Sequence, residues 1–104
     1  PIRFWANKYK TKFNEDPTVF SVYGYTIITS FATAAGRAGK NLTTDSFIKV
    51  MDNLTIEPDF FGGAVQTFSA TKRLGSDASR LSQIVDGKWK TVSDYFGSTA
   101  TAKK

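Results

Sequence analysis

The sequence predicts a mixed α/β fold in which three helices are followed by a strand and a β-hairpin. Apolar residues recur at helical spacing in three segments of the first half of the chain. In the second half they occur in short runs that are bounded by turn residues. The 104 residues, of which 40% are hydrophobic and nine are Phe, are enough to form a packed core.

The first helix is predicted from aromatic residues spaced four apart. Ile2, Trp5, Tyr9 and Phe13 form one apolar stripe, and the lysines at positions 8, 10 and 12 lie mostly off it. Pro17 disfavours helical backbone at the residue before it, so we expect the helix to end at residues 14–17.

The second helix is predicted over residues 18–38, with Thr18 at its start and Gly39 as a left-handed cap at its end. Its residues are apolar on almost every face, and a helix of this kind is expected to be largely buried. The simplest interpretation of its apolar residues is therefore core packing.

The third helix is predicted to begin at Thr43 or Thr44, with Phe47, Met51 and Leu54 on one face. Residues 58–63, which include one Pro and two Gly, predict a stop and a turn. The turn leads into a strand at residues 64–68.

A β-hairpin is the strongest local prediction. Asp86 and Gly87 suit a type I′ turn, because both central positions need positive φ, and they separate apolar runs at residues 81–85 and 88–92. Residues 71–79 are predicted to be a surface loop. We expect one segment at residues 1–97 and a flexible tail at residues 98–104.

Composition excludes several classes of site. With no Cys and no His, the chain has no disulfide, no thiolate metal site and no His-based acid–base pair, which leaves Ser, Lys and carboxylate schemes. The carboxylates within residues 45–59 are spread around a helix and a loop, where such groups are usually solvated, so we expect no enzyme, no metal and no cofactor. The net charge of +5 raises the question of a nucleic-acid partner, but the basic residues form no dense block. We therefore expect no nucleic-acid binding.

The second helix is apolar on almost every face, and the few strands that are predicted cannot cover it. A packing partner for this helix is therefore missing from the chain. The chain is therefore interpreted as a fragment of a larger protein. An alternative is a small self-associating α/β interaction domain, in which a second copy covers the open faces.

Several short motifs occur in an order that resembles one known family. They are Tyr9 and Phe13, Pro17, Tyr23 to Tyr25, Ala38 with Gly39, Phe60 to Gly63, Val65 to Phe68, and Asp86 with Gly87. Together they resemble the C-terminal part of extracytoplasmic solute-binding proteins of the branched-chain amino-acid transporter type, which have the type I periplasmic-binding fold. The loop at residues 69–79 departs from the family pattern, since it lacks the usual Asp-x-x-Gly turn.

The resemblance implies a partial lobe of a two-lobed protein that binds a small solute, such as an amino acid or another carboxylate, in the cleft between its lobes. It implies a membrane permease of the ATP-binding cassette class as partner and a periplasmic or other extracytoplasmic location, although no signal-peptide pattern is visible here. The ligand-binding residues that it implies are Val19, Phe20, Ser21 and Tyr23, with Phe20 as the main contact. The alternative for Phe20 and Tyr23 is that they are ordinary core residues.

Overall fold

The computed structural model describes residues 1–97, and the tail predicted at residues 98–104 lies outside them. The order of elements is α1 (Ile2–Phe13), α2 (Val19–Ala38), α3 (Thr44–Met51), β1 (Thr55–Ile56), β2 (Gln66–Thr67), β3 (Ser82–Val85) and β4 (Lys88–Thr91). The mixed α/β class is confirmed, with three helices and two antiparallel strand pairs.

The chain divides into two compact units. Unit 1 contains Pro1–Met51 and Asp59–Gly62, so it holds the three helices and one turn. Unit 2 contains Asp52–Pro58 and the described residues from Gly63 on, so it holds the four strands.

In unit 1, α1 ends where the sequence predicts. Asn14 adopts a left-handed conformation with φ of 54° and ψ of 35°, and its amide donates to the Lys10 carbonyl at 2.8 Å. Left-handed backbone after the last helical residue closes the helix and satisfies a terminal carbonyl.

The start and the end of α2 also agree with the prediction. The Thr18 hydroxyl accepts from the Phe20 amide at 3.2 Å, and the Ser21 hydroxyl accepts from the Thr18 amide at 3.1 Å, which forms a capping box. Gly39 follows the helix with a φ of 80°, and its amide donates to the Ala35 carbonyl at 3.2 Å. Its ψ of −161° lies outside the left-handed helical region, so the predicted type of cap is wrong in this detail.

The prediction that α2 is largely buried is wrong for the described chain. Ala34 is the one fully buried residue of this helix, whereas Phe20, Ile27 and Ile28 are 76%, 65% and 66% exposed. The physical reason is the small amount of covering structure in unit 1. The Phe31 and Phe47 rings join α2 to α3 with centroids 5.3 Å apart, and the Tyr25 ring contacts Trp5 of α1, which leaves the remaining face open.

The third helix is shorter than predicted. Thr43 precedes it and its hydroxyl accepts from the Ser46 amide at 3.1 Å, but the helix ends at Met51. Leu54 therefore lies beyond the helix, and its side chain is only 1% exposed. The Leu54 carbonyl accepts from the Phe68 amide at 2.8 Å, so Leu54 belongs to the strand region of unit 2.

Unit 2 has a strand that the sequence analysis missed. β1 pairs antiparallel with β2, with Thr55 opposite Thr67 and Ile56 opposite Gln66. The strand predicted at residues 64–68 is thus reduced to two residues. A segment as short as β1 carries no period-two signal, which is why sequence patterns do not find it.

A single lysine organises the loop that follows β2. The Lys72 ammonium donates to the carbonyls of Thr67, Leu74 and Gly75 at 2.7, 2.6 and 2.9 Å. These three bonds use all three donors of an ammonium group, so Lys72 holds the backbone of this loop together.

The hairpin is confirmed. β3 and β4 pair in antiparallel register, with Ile84 opposite Trp89, and the turn residues Asp86 and Gly87 have φ of 52° and 75°. Further along, Ser79 and Phe96 exchange two backbone hydrogen bonds at 2.8 and 2.9 Å and so extend the pairing.

Removal of the α2 cap should measurably destabilise the helix. We expect Thr18→Ala to lower the free energy of unfolding by about 1 kcal/mol, because the Phe20 amide loses its acceptor. Urea denaturation followed by circular dichroism measures this change. Thr18→Ser keeps the hydroxyl and is the matched control, and equal losses in the two variants would contradict the capping role.

Two glycine substitutions should change the stability of the chain in opposite directions. Gly87→Ala should destabilise the hairpin by about 1–2 kcal/mol, because a side chain is strained at positive φ. Gly24→Ala should stabilise α2 by about 0.5–1 kcal/mol, since a Cβ there would meet no atom within 4 Å. Thermal unfolding of both variants checks this, and a loss of stability in Gly24→Ala would show that the α2 surface is covered in the isolated chain.

Candidate functional site

The residues predicted to bind ligand lie at the start of α2. Val19, Phe20 and Tyr23 are 54%, 76% and 56% exposed, so none of them is a core residue of unit 1. The Phe20 and Tyr23 rings meet edge to face, with centroids 6.0 Å apart and an interplanar angle of 84°. We call these three residues the α2 platform.

Ser21 is not part of the α2 platform. Its hydroxyl is used by the capping box, and its side chain lines a groove between α1 and α2. Side chains two positions apart on a helix point about 200° apart around its axis, so Ser21 and Val19 point to different sides. The structure therefore brings together three of the four predicted residues and directs the fourth elsewhere.

The backbone amides at the start of α2 are mostly occupied. The amides of Ser21 and Val22 donate to the Thr18 carbonyl at 3.1 and 3.2 Å, and the Phe20 amide donates to the Thr18 hydroxyl. Capture of a carboxylate by these amides would have to displace the cap. Among residues 1–97 no hydrogen bond is found for the Tyr23 hydroxyl, so this group is the polar atom of the α2 platform that is open to a ligand.

An aromatic triad fixes the direction of α2 within unit 1. Trp5, Tyr25 and Phe61 make three edge-to-face contacts, with centroids 5.0 Å apart for Trp5 and Phe61, 5.6 Å for Tyr25 and Phe61, and 5.8 Å for Trp5 and Tyr25. The turn at Asp59 presents Phe61, because the Asp59 carboxylate accepts from the Phe61 amide at 2.9 Å. The α2 platform lies within the two turns that precede Tyr25 on the same helix.

The groove between α1 and α2 was not predicted. Its volume is about 310 Å³, and its lining comprises Trp5, Lys8, Tyr9, Lys12, Phe13, Ser21 and Tyr25. Lys8 and Lys12 follow Trp5 at i+3 and i+7, so they border the apolar stripe and line the groove beside it. The signal that could have found the groove is this spacing, which places both lysines beside the aromatic residues.

Other kinds of site were also searched for. Within residues 1–97 no group of three or more Asp and Glu side chains is close enough to hold a metal ion. In that same range no helix is long and apolar enough to cross a membrane.

Comparison with known proteins adds the family. The family model described as periplasmic binding protein matches residues 1–88, which include α1, α2, α3 and the start of the hairpin. The chain belongs to the periplasmic binding protein family. No curated protein and no solved structure matches the chain.

Family membership supports part of the functional expectation. Periplasmic binding proteins bind small-molecule solutes, are typically not enzymes, and act outside the cytoplasm. The matched residues include the α2 platform and the aromatic triad, so both features lie in the part of the chain that shows the family.

The aromatic triad should contribute more to the free energy of unfolding than the burial of its apolar area accounts for. We expect Phe61→Leu to lower the free energy of unfolding by about 1 kcal/mol, because leucine keeps apolar volume but loses two edge-to-face contacts. Phe4→Leu is the matched control, since Phe4 is 71% exposed. Denaturant unfolding followed by Trp fluorescence measures both, and equal effects would contradict the role of the aromatic triad.

Proposed function

We propose that this periplasmic binding protein is the solute-binding component of an ABC-type uptake system, and that the α2 platform forms one wall of its ligand cleft. The observation that carries the proposal is an exposed aromatic pair at a helix start in a chain of a solute-binding family. The proposed solute is a small carboxylate-bearing molecule such as an amino acid.

Each residue of the α2 platform has a proposed role. Phe20 and Val19 offer apolar surface to the side chain of the solute, and the Tyr23 hydroxyl donates a hydrogen bond to its carboxylate. Ser21 keeps its capping role and holds the first turn in place. Nothing in this scheme requires bond making or breaking, so we propose no enzymatic activity.

The same proposal explains why one face of α2 is exposed in this chain. Ile27 and Ile28 are 65% and 66% exposed and carry no charge. We place the chain in the C-terminal part of a larger receptor, where further polypeptide of the same protein covers this face. The membrane permease of the transporter is then the partner of the complete receptor.

A self-associating interaction domain is the second candidate. The same exposed face of α2 favours it, because a second copy could bury the apolar residues. Sedimentation separates the two candidates: a monomer at high concentration argues against self-association, and a concentration-dependent dimer favours it.

Phe20→Ala tests the placement of the cleft. In the protein expressed from its whole reading frame, we expect a saturable calorimetric signal with one member of an amino-acid panel, and a loss of affinity of roughly tenfold or more in the variant. Phe4→Ala, which makes the same change at an exposed residue of α1, is the control and should bind normally.

Two outcomes would contradict the proposal. Unchanged affinity in Phe20→Ala would remove the α2 platform from the cleft. Tight binding of the same amino acid by the 104-residue chain alone, if it is lost in Phe20→Ala, would show that the complete cleft lies within these residues and needs no further polypeptide.

A further inference from the structure

The groove between α1 and α2 combines aromatic walls with positive charge. Trp5, Tyr9 and Phe13 line it from α1, and Tyr25 lines it from α2. The Trp5 and Tyr9 rings have centroids 5.6 Å apart, and those of Tyr9 and Phe13 are 4.7 Å apart, so the α1 wall is a continuous row of rings. A surface of this kind suits a flat, aromatic ligand.

The charged groups that line the groove are both cations. Lys8 and Lys12 lie one helical turn apart on α1, and no Asp or Glu within residues 1–97 is among the lining residues. The nearby acids have other contacts within unit 1. The Glu15 carboxylate accepts from the Tyr9 hydroxyl at 2.9 Å, and the Asp16 carboxylate pairs with Lys10 at 2.9 Å.

The lysines can reach a ligand at little cost. The Lys8 ammonium lies 5.9 Å from the centroid of the exposed Phe4 ring, which is a weak, solvent-exposed contact. A lysine side chain is flexible, so its ammonium can turn toward an anion while its stem remains against the rings.

The size of the groove limits the ligand. At about 310 Å³ it is at the lower end of the range for ligand pockets, so it suits an acid with one or two rings. The groove is also separate from the α2 platform, because Val19, Phe20 and Tyr23 do not line it.

We propose that the groove between α1 and α2 is a second binding site, which takes a small aromatic carboxylate. The aromatic body packs against Trp5, Tyr9 and Tyr25, and the carboxylate lies between the ammonium groups of Lys8 and Lys12. This site is independent of the solute cleft proposed above.

The two tryptophans of the chain make the test direct. Trp5 lines the groove, whereas Trp89 lies on the hairpin and is 76% exposed, so the two indole N–H signals in an NMR spectrum report on different places. Trp89→Phe removes one signal and thereby assigns the other. The probes are indole-3-acetate and its uncharged analogue indole-3-ethanol.

We expect indole-3-acetate to shift the Trp5 signal in a saturable manner and to leave the Trp89 signal in place. Indole-3-ethanol should bind more weakly. Lys8→Gln and Lys12→Gln should each lower the affinity for indole-3-acetate by roughly two- to fivefold, as expected for exposed charge pairs. Neither variant should change the affinity for indole-3-ethanol. Lys12→Arg should retain the affinity.

Lys10→Gln is the matched control, because it removes the same charge from the same helix at a position that does not line the groove. Equal weakening by Lys10→Gln, equal affinity for the two probes, or equal shifts at Trp5 and Trp89 would overturn the proposal. Phe20→Ala separates this site from the solute cleft: an unchanged Trp5 response supports a second site, and its loss would overturn the claim that the sites are independent.

Discussion

A helix that has almost no polar face must be covered by other structure, and this requirement dominates the chain. α2 runs for 20 residues with one charged residue, Arg37, in its last turn. Apolar surface in contact with water costs free energy in proportion to its area, at about 25 cal/mol per Å². α3 covers one part of α2 and the aromatic triad covers another, while the face with Ile27 and Ile28 stays open. The proposed role as part of a larger receptor follows from this imbalance.

The contacts that do exist explain why the start of α2 can serve as a ligand wall. The capping box fixes the first turn, and the aromatic triad holds the same helix one to two turns later. Between these two fixed points the α2 platform presents its rings to solvent. A wall that is held on both sides loses little conformational freedom when a solute binds, which favours affinity.

The sequence predicted the elements that depend on local chemistry. The end of α1 near Pro17, the cap at Thr18 and the turn at Asp86 and Gly87 each follow from the preferences of single residues, and the structure confirms them. β1 and the position of Leu54 depend on pairing with distant residues, so periodicity could not find them. For the site, the sequence could place Phe20 and Tyr23 on one helix turn. It could not show that the Ser21 hydroxyl is used for capping or that two α1 lysines border an aromatic groove.

The central claim is that further polypeptide of the same protein covers the open face of α2, and chemical labelling tests it most directly. The chain has no Cys, so Ile27→Cys introduces a single thiol on this face. Its rate of reaction with a maleimide is measured in the 104-residue chain and in the protein expressed from the whole reading frame. Our account predicts rapid labelling in the chain and strong protection in the whole protein at a concentration where it is monomeric. Equally rapid labelling in both, or a reading frame that encodes only these residues, would contradict it.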